Sequence, residues 1–116
     1  MLENKEIAYA IGAFIEKYSS NRNCVTWSQS NDCPFDVEYA SKIKVEEDTL
    51  KTSSTDPELW EFDASATIRF KEKKGTAIPF DAQRKIKGRA IVKEIKNVIN
   101  QILPDVKQVL ITNYKY

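Results

Sequence analysis

The side chains of this 116-residue chain that could do chemistry are carboxylates and cations, because histidine is absent and cysteine occurs only at Cys24 and Cys33. Without histidine there is no Ser-His or Cys-His nucleophilic pair, and the commonest general base near neutral pH is missing. Two thiolates alone do not complete the four ligands of a zinc site. Cys24 and Cys33 stand close enough in sequence to close a short disulfide loop; the alternative, two small half-buried thiols, suits a reducing compartment. Glu61 and Asp63 fall on one face of a strand, where two carboxylates can share acid and base roles, although isolated pairs of this kind are as a rule surface charges. Gly12, Gly75 and Gly88 are too dispersed to cradle a phosphate. No catalytic centre, cofactor or metal is implied.

The cations are more informative. Residues 1–63 hold 6 Lys and Arg against 13 Asp and Glu, whereas residues 64–116 hold 12 against 4, so a net charge of +1 conceals balances of −7 and +8. Within the basic half, Lys71, Lys73 and Lys74 close one segment, and Arg84, Lys85, Lys87 and Arg89 open the next, with Lys93 and Lys96 further along. Such clusters bind phosphate backbones by releasing condensed counterions, whatever the base sequence. The plainer reading is a solvated face neutralised by the acidic first half of the same fold.

The elements that must position these groups follow from periodicity. Ile7, Ile11, Phe14, Ile15 and Tyr18 mark one face of a helix over residues 4–19. A short strand is expected over 24–28, followed by a turn at 30–34. Phe35, Val37, Tyr39, Ile43 and Val45 alternate with charged residues, as do Trp60, Phe62, Ala64, Ala66, Ile68 and Phe70, which predicts two antiparallel mates with one face in the core. Asp81 can cap a second helix over 82–102, in which Ile91, Ile95, Val98 and Ile102 recur at helical spacing; Gly88 leaves a strand over 84–92 as the alternative. A closing strand is expected over 106–114. The expected fold is therefore a single α+β domain, residues 1–116, in the order α-β-β-β-α-β, with a mainly antiparallel sheet and two helices packed on one face.

That order is similar to the double-stranded-RNA-binding domains in sequence of elements only, since those domains use a histidine-containing loop that this chain lacks. It is also similar to the core of restriction-type nucleases, which implies an aspartate on one strand and an acid-x-lysine on the next. Asp36 fits the first place; at the second, Arg69-Phe70-Lys71 puts a cation where a metal ligand belongs, and Glu61 and Asp63 lie too far from Lys71. The first functional expectation is a non-catalytic protein that contacts nucleic acid, without sequence specificity, through Lys71, Lys73, Lys74, Arg84, Lys85, Lys87 and Arg89. The alternative is a protein-interaction module, such as an inhibitor, immunity-like or accessory subunit, whose charge asymmetry steers a protein partner or its own copies. A metal-dependent nuclease is third. Pairing of these cations with Asp36, Glu38 or Asp63 would favour the second reading over the first. No apolar run approaches the roughly 18 residues of a membrane span, and the acidic start is unlike a signal peptide, so a soluble cytoplasmic protein without membrane contact is expected.

Overall fold

In the computed structural model, which describes residues 2–28, 33–75 and 77–114, Ile7, Ile11 and Ile15 form the buried stripe of helix α1 (Asn4–Tyr18). The Glu6 carboxylate accepts the Glu3 N–H at 3.3 Å and closes the first turn. The chain continues through β1 (Val25–Trp27), β2 (Phe35–Val45), a 3-10 turn (Glu47–Thr49), β3 (Lys51–Thr52), β4 (Leu59–Glu72), β5 (Phe80–Lys96) and β6 (Ile102–Tyr114). The fold is α+β, with one helix against a six-stranded, mostly antiparallel sheet of order β1-β6-β5-β4-β2; β3 pairs with β4, and β1 runs parallel to β6. No helix among the described residues is long and apolar enough to cross a membrane.

Strict alternation puts Phe62, Ala64, Ala66, Ile68 and Phe70 of β4 into the core, where α1 covers them. Apolar burial contributes about 25 cal/mol per Å², and among these residues Phe62, Ile68 and Phe70 bury the largest side chains. The expected positions of Val37, Phe62, Ala66, Ile68 and Ile11 hold, while Phe35, Ile43, Trp60 and Phe14 pack against the core half-buried.

The second helix expected over 82–102 is not formed; the segment is β5 and the turn after it. Along β5, Ile86, Gly88, Ala90 and Val92 are buried, while Lys85, Lys87, Arg89 and Lys93 are exposed, a period of two rather than 3.6. The helical spacing of Ile91, Ile95, Val98 and Ile102 is incidental: they lie on an exposed strand face, in a turn and at the start of β6, and Ile95 and Val98 are exposed instead of packed over the sheet. Asp81, expected to cap that helix, is bonded to Arg69. Gly88 has a steric role in the strand, because a Cβ there would lie 2.8 Å from both the Leu110 carbonyl oxygen and the Phe62 ring. The order is thus α followed by six strands, and α1 alone forms the second layer. The closing strand starts at Ile102, so Pro104 lies inside it.

A second departure lies in β2. Its register against β4 skips at Glu38, and again where Lys42 and Ile43 together oppose the single Ala66; Lys42 takes φ 52. These two bulges shift the alternation, which leaves Tyr39 at 42% exposure instead of in the core and buries Ala40. They also bend β2 around the helix.

The bend brings β2 to Ser19, the buried residue that ends α1. The Ser19 hydroxyl accepts the Ala40 N–H at 2.9 Å and donates to the Ala40 carbonyl at 3.3 Å, while the Ser19 carbonyl accepts the Trp27 indole N–H at 2.9 Å. Ala40 lies on β2 and Trp27 on β1, the two ends of the strand order, so one residue ties both edges of the sheet to the helix. The turn expected at 30–34 lies largely outside the described residues, and Cys24 and Cys33 are free thiols.

Two expectations follow from this packing. Ser19→Ala removes both partners of the buried Ala40 peptide and is expected to cost about 2–3 kcal/mol in urea unfolding. Gly88→Ala is expected to cost about 1–3 kcal/mol through overpacking against Phe62, visible as a lower midpoint at constant m value.

Candidate functional site

The alternation that buries one side of β4 sets Glu61, Asp63, Ser65, Thr67 and Arg69 on the opposite, outer side. Register then decides their neighbours on β5: Glu61 faces Arg89, Asp63 faces Lys87, Ser65 faces Lys85 and Arg69 faces Asp81. Directly opposed residues of opposite charge attract. Accordingly, Arg89 Nε lies 3.7 Å from Glu61, Lys87 Nζ 3.4 Å from Asp63, and Lys85 Nζ 3.3 Å from Glu46 at the end of β2. Arg69 donates to Asp81 at 3.0 Å and lies 3.9 Å from Glu38. The hydrogen bond to Asp81, supported by the nearby charge of Glu38, raises the Arg69 pKa above its ordinary value, so the guanidinium stays charged.

A depression of about 430 Å³ opens on this face between the 3-10 turn and β6, lined by Asp48, Thr49, Lys51, Glu61, Asp63, Lys87, Arg89 and Thr112. Its lining mixes both signs of charge. Beyond it, Leu59 opposes Ile91 and Leu110 opposes Arg89, so a small apolar strip borders the ion pairs, with Leu110 38% exposed.

The seven cations grouped by sequence are divided in space. Lys85, Lys87 and Arg89 stand on the outer face, each with a carboxylate. Arg84 belongs to the helix side of β5: its guanidinium lies 5.7 Å from the Phe70 ring centroid, Nη1 donates to the Gln83 carbonyl at 3.0 Å, and its buried Nε lacks a partner among the described residues. Lys71, Lys73 and Lys74 are exposed at the β4–β5 turn, with no salt bridge among the described residues. Lys71 is the register partner of Asp36, which places a cation beside the candidate metal acid. Among the described residues no three Cys, Asp or Glu side chains gather as a metal would need.

Glu46, Leu59 and Leu110 carry no signal in the sequence, and the helical spacing there assigns Ile91 to a helix. The alternation across 82–92 was the available signal for the outer face of β5; Glu46 could be placed only by knowing the bulged register of β2. No protein family model, curated protein or solved structure matches the chain.

The division of the cations has a measurable consequence. Five phosphate contacts would give a slope of log affinity against log salt near −4.5 on duplex DNA, whereas the three lysines of the β4–β5 turn support a slope of at most about −2.7. Titration at low salt is expected to give no steeper value.

Proposed function

We propose that this chain is a non-catalytic protein-interaction module, of the inhibitor, immunity-like or accessory-subunit kind, which docks a protein partner through the outer face of its sheet. The observation that carries this reading is the pairing of Lys85, Lys87 and Arg89 with Glu46, Asp63 and Glu61 on a face that the helix leaves uncovered. A polyanion is drawn to uncompensated positive charge, and here each cation has a carboxylate within 4 Å. A protein surface of interleaved signs matches such a mosaic.

Half-exposed ion pairs are worth about 0.2–1 kcal/mol each, so exchanging an internal partner for one across an interface costs little. The charges then set orientation and encounter rate, while Leu59, Ile91 and Leu110 supply the apolar area that a stable contact buries.

The test is affinity capture from cells of the source, using the wild-type chain and the Lys87→Glu, Arg89→Glu double variant, whose changes lie on exposed side chains. A specific protein is expected to be held by the wild type and lost by the variant, with amide exchange slowed along β4 and β5 in the complex. Equal capture by both chains, or duplex DNA binding at a salt slope near −4.5, would replace this reading with contact elsewhere or with a polyanion.

A further inference from the structure

The β5–β6 hairpin extends past the rest of the sheet. Pairing of β4 with β5 begins at Leu59 and Ile91, and β1 reaches β6 only at Val109, Leu110 and Ile111, so residues 93–105 form a two-stranded ribbon. Its base lies beside α1, with Ile102 and Val106 packed against the core, and its free end is expected to be polar. Instead its apex carries Val98 at 101% exposure and Ile99 at 74%, with Ile95 at 45% in the adjoining row.

Ile95 and Leu103 oppose one another on the outer face and Val98 and Ile99 cap the end, while on the other face Ile102, opposite Lys96, packs against the core. The exposed aliphatics are thus gathered at the end of the ribbon, where a surface that the tip enters end-on can receive them.

The turn is also held in one shape. Asn97 Oδ1 accepts the Ile99 and Gln101 N–H groups at 3.0 Å each, the Asn97 N–H donates to the Gln101 carbonyl at 3.1 Å, and Asn100 adopts φ 63. The two exposed aliphatics are therefore presented without further ordering of the backbone. The first fully charged row, Lys93 opposite Asp105, lies four residues before the turn residue Asn97, or on the order of 13 Å along the strands. Asp105 is engaged by Lys107 at 2.6 Å, which leaves Lys93 and Lys96 against Glu94, a local excess of positive charge. Lysine stems of this length keep the ammonium in the headgroup layer while the aliphatic residues go deeper.

We infer that the β5–β6 tip inserts reversibly into the interfacial layer of a lipid bilayer carrying anionic headgroups, as a surface anchor and not as a span. Val98 and Ile99 enter the boundary between headgroups and acyl chains, a depth consistent with interfacial anchoring, and Lys93 and Lys96 meet lipid phosphates and carboxylates. This anchoring uses none of the ion pairs of the outer face, so both surfaces can be engaged at once.

Co-sedimentation of the full chain with phosphatidylcholine vesicles, with and without phosphatidylserine, tests the inference. Binding is expected to the phosphatidylserine vesicles, weakened about tenfold or more by Val98→Asp with Ile99→Asp, and weakened to a smaller degree by Lys93→Glu with Lys96→Glu. Thermal unfolding should be unchanged in both variants because all four side chains are exposed. As a second readout, a Val98→Trp variant should shift its indole emission to shorter wavelength on vesicle addition, beyond any change given by Trp27 and Trp60 in the wild type. Failure of the wild type to bind either vesicle, or equal binding by the Asp variant, would overturn the inference and assign the tip to an apolar pocket on a protein.

Discussion

Ser19 is the point at which the fold is closed. A sheet wrapped around a single helix must bring its first and last strands back to that helix, and their outward backbone groups must find partners or stay wet. One hydroxyl serves both the N–H and the C=O of Ala40, and the carbonyl behind it serves the Trp27 indole. Because the residue is 3% exposed, water does not replace these bonds. The bulges of β2 are the geometric counterpart: Glu38 and Lys42 lie two residues to either side of Ala40, and bulges bend a strand locally.

Closure on one side determines what is left on the other. With α1 on the inner face, the outer face of β4 and β5 balances its charges by register for Glu61 with Arg89, Asp63 with Lys87 and Arg69 with Asp81, and through Glu46 for Lys85. The acidic first half of the chain and the basic second half thereby interleave, through Glu46, Glu61 and Asp63 against Lys85, Lys87 and Arg89. A strong asymmetry along the chain becomes a local mosaic in space.

Helix α1 and strand β4 were legible because each carries an unbroken period, isoleucines at every fourth place in one and apolar residues at every second place in the other. Tyr39 was misplaced because a bulge is one residue out of phase and leaves no mark in composition. In β5 two signals competed. The isoleucines repeat as in a helix, and Arg84 interrupts the apolar alternation on the inner side, where its guanidinium is accommodated over Phe70. Gly88 pointed to the strand alongside the alternation across 82–92, and its own reason is visible only in three dimensions, the approach of Phe62 and Leu110. The composition of the site was readable, but its pairing was not, since ion pairs between strands depend on register and register depends on the bulges and turns.

Pro104 gives β6 a further property. On the N-terminal side of Val109, where β1 pairing stops, the margin of β6 has no strand partner among the described residues, and such a margin is a template on which a foreign strand can grow. A proline supplies no N–H and its ring crowds the approach, so an added strand would lose a rung of its ladder at that place. Backbone-directed strand addition is thus disfavoured at this margin, and selectivity in whatever the chain meets there is left to side chains.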